Sequence, residues 1–349
     1  MGAALSPARA MTDFWPSVLS RLLEKQDISA EESAEAMRLI VGGEAAPAQV
    51  AAFAVALRAK GETPAEVEGL AGVLLQLAPA VEKPGPVIDT SGTGGDGSGT
   101  INVSTIAALV AAGAGAVVAK HAGRAASSRC GSADLLEALG VNIAVPADGV
   151  SRCLAECGIG FLFAPSFHPA LAKAAEPRQE MGVRTVFDFL WPVTNPAMPE
   201  AQLVGVPEER MQRVIAGVLA DRGTRAFVVR GDDGVDEITT SGPTHLLEAR
   251  GGVVMARHLL PIEMGVPTAR AADVAGGDPK QNADVARSVL SGEKGPPRDI
   301  VAVNAGAALV LAGISDDIPE GIERAFESID SGKAGQVLSK WVEVSNRAA

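Results

Sequence analysis

The stretch GTGGDG at residues 92–97 could bind an anion on its backbone, because glycine occupies four of its six positions. Small residues let N–H groups approach a phosphate, and the helix predicted to follow adds a favourable dipole. The spacing also matches the G-x-G-x-x-G pattern of dinucleotide sites, but Lys120 stands where those sites carry an acidic residue. We therefore predict a phosphate cradle, and a tight turn without a ligand remains the alternative.

Two stretches beyond the cradle offer further polar groups. Asn102, Ser104 and Thr105 place donors or metal ligands on the first turn of the following helix. The loop KHAGRAASSRCGS (120–132) combines cations and serines at the end of the next predicted strand. Because carboxyl ends of neighbouring parallel strands face one crevice, these two loops suit a ligand with several phosphates.

A third stretch, RGDDGVDEITT (230–240), places four acidic residues around a glycine turn. Asp236 and Glu237 are hard oxygen ligands of the kind that hold Mg²⁺, which completes its octahedron with water and substrate phosphates. The alternative for this stretch is a solvated acidic turn. Beside a polyphosphate, the pair predicts a magnesium site.

The elements that must position these groups fall into two parts. Residues 12–80 predict about four short amphipathic helices that begin near Ser, Thr or Pro. From Pro86 onward, apolar runs alternate with Ala-rich helical patterns, which indicates a mostly parallel sheet covered by helices. We predict strands in PVIDTSG, AGAVVAKH, VNIAVP, IGFLFAPS, RAFVVRGDD and DIVAVNAG. The fold class is therefore α/β, with a small all-helical N-terminal domain and a large α/β domain.

The proline-rich segment 184–211 interrupts this alternation, and we interpret it as a crossing connection between the domains. The predicted helical domain is 12–82, completed by part of 184–211. The predicted α/β domain is 83–183 and 212–345. Ligand sites commonly form where domains meet.

Composition excludes several classes of partner. The net charge is −12 and aromatic residues make up 3% of the 349, which argues against nucleic-acid binding. No stretch reaches 18 uninterrupted apolar residues, so we expect no membrane span. Three cysteines without a Cys-x-x-Cys spacing suggest neither a disulfide framework nor a zinc site, which fits a reducing cytoplasm.

The motifs together resemble the anthranilate phosphoribosyltransferase family. The resemblance runs in family order over roughly residues 12–340 and rests on GTGGD, NVST, KHxxRxxSSxxGSADLLEALG, FLFAPSFHPA, RQEMGVRTVF, PVTNPA, DGVDE and SGEKGPPRDIVAVNAGAAL. It implies a nucleoside phosphorylase/phosphoribosyltransferase-like fold and a homodimer formed through the helical domain. It also implies Mg²⁺-dependent transfer of the 5-phosphoribosyl group of phosphoribosyl pyrophosphate (PRPP) to an aromatic amine, with release of pyrophosphate.

Carried over position by position, the resemblance assigns roles to residues of this chain. The small and polar residues implied to contact PRPP are Gly92, Gly95, Asp96, Thr100, Asn102, Ser104, Thr105, Lys120, Ser128 and Ser132. The implied Mg²⁺ ligands are Ser104, Asp236 and Glu237, and the candidates for a direct catalytic part are Lys120 and Arg178. The implied acceptor-binding residues are Gly123, His168, Arg178 and Trp191.

The acceptor side departs from the family pattern at three positions. Gly123 replaces an Asn that binds anthranilate, Asp188 replaces another Asn, and Trp191 replaces a Gly on the anthranilate path. Arg178, which matches the Arg that pairs with the anthranilate carboxylate, is retained. A missing hydrogen-bond partner in a substrate pocket changes discrimination strongly, so we expect an altered aromatic acceptor.

Two other interpretations stay open. The chain could use anthranilate itself, as in tryptophan synthesis, in an unusual pocket. It could also be a non-catalytic homologue that binds nucleic acid or a regulatory ligand, although the acidic charge and the intact carboxylate pair count against that. Trp191 could belong to the core, and Arg178 could form a surface ion pair.

Overall fold

The computed structural model describes residues 7–125 and 128–348. The chain forms two compact units. Unit 1 comprises the described residues up to Ala78 together with His168–Thr194, and unit 2 comprises Pro79–Phe167 and the described residues from Asn195 onward. Within the described ranges, no helix is both long enough and apolar enough to span a bilayer.

Four helices come first along the chain, strands and helices then alternate, and three consecutive strands followed by four consecutive α-helices end this order. The α-helices are α1 Pro7–Leu23, α2 Ala30–Gly42, α3 Pro47–Lys60, α4 Pro64–Leu77, α5 Val103–Gly113, α6 Ser132–Leu139, α7 Ala147–Cys157, α8 Ala164–Phe167, α9 Ala175–Met181, α10 Glu209–Asp221, α11 Pro279–Leu290, α12 Pro296–Leu311, α13 Ile318–Asp330 and α14 Lys333–Arg347. Short 3-10 helices cover Pro169–Ala174, Val186–Asp188, Trp191–Val193 and Ala271–Val274. The strands are β1 Ile88–Gly92, β2 Val118–Ala122, β3 Ile159–Phe163, β4 Ala201–Gly205, β5 Arg225–Gly231, β6 Thr244–Arg250 and β7 Val253–Leu259.

Unit 1 begins with the four predicted helices, α1 to α4, which confirms the all-helical N-terminal part. Capping boxes start α2 at Ser29 and α4 at Thr63, where each side chain accepts a backbone N–H and a Glu three residues on reaches back. Proline opens α3 and α4, where its missing N–H leaves no helical bond unmade. The helices pack through buried apolar residues such as Met37 and Phe53.

The segment that completes unit 1 begins earlier than predicted. The sequence pattern assigns His168–Val183 to the α/β domain, but the structure places it with the N-terminal helices. The reason is local packing, because the 3-10 helix Pro169–Ala174 contacts α2 and α9 contacts α3. Residues 195–211, predicted as part of the crossing connection, belong to unit 2 and contain β4. The sequence pattern misses this strand because Pro192, Pro196 and Pro199 come shortly before its five residues.

Unit 2 contains a seven-stranded sheet in the order β3-β2-β1-β4-β5-β6-β7. The first five strands are parallel, and β6 and β7 add an antiparallel edge, so the prediction of a mostly parallel sheet is confirmed. The chain runs outward from β1 through β2 to β3, and then returns to β4 on the other side of β1. The boundary between the neighbouring strands β1 and β4 is therefore a topological switch point. Ligands of open α/β sheets bind at the carboxyl ends of the strands at such a point.

Two predicted strands are wrong. DIVAVNAG lies inside helix α12, and VNIAVP is a connection without a strand. Every residue from Ile300 to Leu311 is buried, so α12 shows no polar face and its sequence looks like a buried strand. In VNIAVP, Val141, Ile143 and Val145 alternate with more exposed residues, but they contribute to the core from irregular backbone.

Candidate active site

The glycine loop joins β1 to α5 and has the conformation that its composition predicts. Gly94, Gly95, Gly97 and Gly99 have φ values of 60°, 75°, 68° and 66°, a region that side chains with a Cβ rarely adopt. The loop is closed at its far end, where the Gly276 N–H donates to the Gly99 carbonyl oxygen at 2.7 Å. Within the loop, the Ser98 hydroxyl donates to Asp96. The structure thus holds a run of backbone amides at the carboxyl end of β1.

Asp236 packs directly over the ends of β1 and β4. Gly92 and Gly205 are register partners on these strands, and a Cβ on either one would overlap Asp236. The Gly94 N–H donates to Asp236 Oδ2 at 2.8 Å. The acidic turn that follows β5 therefore reaches the glycine loop, and two strand-end glycines make the approach possible. Sequence reasoning missed Gly205, since nothing local marks it as part of the site.

Glu237 and Lys120 meet at the start of α5. The Ser104 N–H donates to Glu237 Oε1 at 3.2 Å, and Lys120 Nζ lies 3.2 Å from Ser104 Oγ. Lys120 is completely buried, and its ammonium also donates to the Thr90 carbonyl oxygen at 2.5 Å. The three predicted metal-site residues are thus brought to one place, with a buried cation beside them.

In this cluster Lys120 is completely buried, whereas Asp236 and Glu237 are half-buried. Burial, and then the neighbouring Asp236 carboxylate, raise the pKa of Glu237 well above its usual range. Burial lowers the pKa of Lys120, and the carboxylates of Asp89, Glu237 and Asp236 oppose that shift. Neighbouring carboxylates that repel each other favour a bound cation.

Asp89 is a buried charge that sequence reasoning did not single out. Its carboxylate accepts from Asn195 Nδ2 at 2.9 Å and from the His121 N–H at 3.3 Å. Burial raises the pKa of Asp89 to about 6, and the charge of Lys120 opposes the shift. Asp89 therefore lies beneath the site as a counter-charge to Lys120. A lone Asp inside an apolar strand is the only sequence signal for it.

The predicted PRPP contacts on α5 and in the second loop have different surroundings. Asn102 Nδ2 donates to the Cys130 carbonyl oxygen and Asn102 Oδ1 accepts from Asn282, each at 2.9 Å, so Asn102 ties the second loop to α11. Ser128 is exposed and Ser132 begins α6. Thr105 is completely buried, and its hydroxyl has no hydrogen-bond partner among the described residues.

The predicted acceptor-binding residues divide between the two units. Gly123 follows β2 in unit 2, and an added Cβ there would meet no described residue within 4 Å. His168, Arg178 and Trp191 belong to unit 1. His168 Nε2 lies 2.9 Å from the Thr194 carbonyl oxygen, its ring centroid is 6.3 Å from that of Trp191, and burial lowers its pKa.

The fold and the cradle define a class of protein, the glycosyl transferases that pair a helical bundle with an α/β domain. The family model described as "Glycosyl transferase family, a/b domain" matches residues 84–335, and "Glycosyl transferase family, helical bundle domain" matches residues 16–78. Among curated relatives, an anthranilate phosphoribosyltransferase of Acidothermus cellulolyticus is 52% identical over 97% of each chain. One of a Nocardioides species is 49% identical over 95% of this chain and 99% of its own length.

Solved structures of anthranilate phosphoribosyltransferases also match this fold. The anthranilate phosphoribosyltransferase of Thermus thermophilus matches with a TM-score of 0.89 at 42% identity, covering 94% of this chain and 99% of that one. The Saccharomyces cerevisiae enzyme, solved in complex with PRPP and Mg, matches with a TM-score of 0.88 at 28% identity, covering 98% and 99%. This chain belongs to the anthranilate phosphoribosyltransferase family and is a phosphoribosyltransferase enzyme.

The comparisons do not support the altered acceptor that Gly123 and Trp191 led us to expect. Relatives at about half identity over nearly the whole chain carry the anthranilate name. The yeast enzyme has also been solved with 4-fluoroanthranilate. The alternative interpretation, anthranilate itself, fits these findings better.

Proposed function

We propose that this chain transfers the 5-phosphoribosyl group of PRPP to the amine of anthranilate and releases pyrophosphate. The observation that carries the proposal is the convergence of Ser104, Lys120, Asp236 and Glu237 with the glycine-loop amides at the carboxyl ends of β1, β2 and β5. The proposed PRPP contacts are those implied by the resemblance, namely Gly92, Gly95, Asp96, Thr100, Asn102, Ser104, Thr105, Lys120, Ser128 and Ser132.

The donor groups present fit Mg²⁺. Among the described residues, no three His, Cys, Asp or Glu side chains are placed to hold a metal ion by themselves. Two carboxylates and a hydroxyl suit Mg²⁺, since it typically binds one or two protein carboxylates and takes its other oxygens from phosphates and water. Asp236, Glu237 and Ser104 would hold it. When bound, the ion would neutralise charge on the pyrophosphate as that group leaves.

The reaction needs no covalent intermediate with the protein. The acceptor nitrogen would form a bond to C1 of the ribose while the bond from C1 to the pyrophosphate oxygen breaks, and the amine would lose a proton. The ammonium of Lys120 and the amides of the glycine loop would stabilise negative charge where it develops. Because Lys120 is buried and held by two oxygens, this stabilisation would require little reorganisation.

The acceptor would be bound by the residues that the resemblance assigns to it. Arg178 would pair with the carboxylate of anthranilate, because its planar guanidinium matches a planar carboxylate. His168 and Trp191 would bind the acceptor together with Arg178, and Gly123 would leave space where the family carries an amide.

We also propose a cytoplasmic location and a homodimer formed through the helical domain. Light scattering of the purified chain tests the dimer.

The test removes the negative charges of Asp236 and Glu237 while keeping the shapes of their side chains. In Asp236→Asn with Glu237→Gln, we expect pyrophosphate release from PRPP, Mg²⁺ and anthranilate to fall at least about 100-fold while the circular dichroism spectrum is retained. The control is Asp232→Asn, an exposed acid of the same turn, which should keep normal turnover. Unchanged activity in the double variant would contradict the metal assignment. A wild-type chain that binds PRPP but does not consume anthranilate would contradict the proposed acceptor.

A further inference from the structure

Arg178 already holds a carboxylate of its own unit. Its Nη2 donates to Asp188 Oδ1 at 2.7 Å, and the two side chains are 24% and 26% exposed. The other oxygen of Asp188 is turned away and accepts the Thr185 N–H at 2.8 Å, which caps the 3-10 helix Val186–Asp188. Asp188 therefore contacts the guanidinium through one oxygen only.

The pair leaves part of the guanidinium unused. Nε and Nη2 of an arginine lie on one edge of the guanidinium, and this edge binds a free carboxylate through two parallel hydrogen bonds. Nε of Arg178 is buried and has no hydrogen-bond partner among the described residues. The guanidinium carbon also lies 5.8 Å from the centre of the Phe187 ring, which helps to fix the plane of the group. Arg178 is thus oriented by its surroundings, but only half of this edge is used.

We propose that Asp188 is a specificity-determining residue, a resident carboxylate that the carboxylate of the acceptor must replace on Arg178. This inference rests on the proposed function, in which Arg178 binds the acceptor. An incoming carboxylate forms two hydrogen bonds on the edge where Asp188 forms one. Asp188 meanwhile keeps its bond to Thr185.

The exchange makes a carboxylate on the acceptor a requirement. An aromatic amine without a carboxylate gains nothing at Arg178, because Asp188 stays in place there. An acceptor with a carboxylate binds, but it loses part of its affinity in displacing Asp188. The Asp found where the family pattern has Asn therefore weakens binding of the acceptor and sharpens its selection.

The decisive variant is Asp188→Asn, which removes the charge but keeps an oxygen that can accept from Thr185. We expect the KM for anthranilate to fall about two- to fivefold, the range that a partly exposed ion pair supports, with kcat unchanged. The dissociation constant of benzoate, a probe without the reacting amine, should fall by the same factor. The dissociation constant of aniline, a probe without the carboxylate, should not change.

Two controls separate exchange from a general charge effect. Glu180→Gln removes one negative charge from an exposed residue on α9, the helix that carries Arg178. It should leave the KM for anthranilate and the dissociation constant of benzoate unchanged. In an Arg178→Gln background, Asp188→Asn should no longer alter benzoate binding, because the shared partner is gone.

Opposite results would overturn the inference. If Asp188 only positions Arg178, Asp188→Asn will raise the KM for anthranilate and weaken benzoate binding. An unchanged benzoate constant would equally contradict the exchange. Benzoate binding also distinguishes this inference from the proposed function: tighter benzoate binding by a chain that does not turn over anthranilate keeps the exchange and rejects the reaction.

Discussion

In unit 2, Lys120 is completely buried and its ammonium contacts oxygens from β1 and α5. In unit 1, Arg178 is about a quarter exposed and binds one carboxylate through one nitrogen. The first cation is positioned by parallel strands whose register fixes where every side chain lies. The second is positioned by a short helix and a 3-10 turn, which have few regular hydrogen bonds.

This difference matches two of the three places where the sequence departs from the family pattern, since Asp188 and Trp191 lie in unit 1 and Gly123 lies in the loop after β2 of unit 2. All the predicted donor and metal residues have the expected types, whereas Gly123, Asp188 and Trp191 do not. A residue packed against paired strands cannot change without moving its neighbours, as Gly92 and Gly205 show. A residue on a turn can change while the turn keeps its shape. We therefore expect selection of the donor to tolerate fewer substitutions than selection of the acceptor.

Among these substitutions, Gly205→Ala should have the largest effect on the proposed donor site of unit 2. Its Cβ would overlap the carbonyl oxygen of Asp236, which is backbone and cannot rotate away. We expect the acidic turn to move and pyrophosphate release to fall at least about 100-fold. Gly242→Ala, in the loop between β5 and β6 that carries Asp236, is the control, because its Cβ would meet no described residue within 4 Å. Normal turnover in Gly205→Ala would show that the approach of Asp236 to β4 is not needed.

Asp89→Asn tests whether the buried carboxylate of Asp89 makes the free energy of unfolding depend on pH. The folded pKa of Asp89 is raised to about 6 from its ordinary 3.8, so the folded chain keeps a proton that the unfolded chain has lost between these values. The contribution of Asp89 to the free energy of unfolding is therefore fully present below about pH 4 and is lost as the pH rises to about 6. The loss is on the order of 3 kcal/mol.

The measurement is denaturant unfolding of both chains from pH 4 to pH 7. The free energy of unfolding of the wild type minus that of Asp89→Asn should fall as the pH rises from about 4 to about 6, and it should become constant above that. Asp273→Asn should give a difference curve without that fall, because the hydrogen bonds from Arg270 lower the pKa of Asp273. A flat curve for Asp89→Asn would mean that Lys120 keeps Asp89 ionised throughout.

The sequence predicted what depends on local chemistry and missed what depends on distant partners. The glycine loop, the helices of unit 1 and the acidic turn carry their own signals, such as Gly94 for a left-handed backbone and Ser29 for a helix start. Gly205 and Asp89 matter only because of residues distant in the chain. Likewise α12 was mistaken for a strand, since burial on every side removes the helical period.

Gly123→Asn restores the family residue and tests the adjustable side with the smallest expected effect. A Cβ at this position would meet no described residue within 4 Å, so we expect the fold and PRPP binding to be unchanged. One added hydrogen bond to the acceptor should lower the KM for anthranilate about two- to tenfold. If the KM rises instead, the open space at Gly123 already serves the acceptor in this chain, and Gly123→Ala, which has no amide to donate, should raise it as well. If neither changes it, Gly123 does not contact the acceptor and the adjustment resides in unit 1.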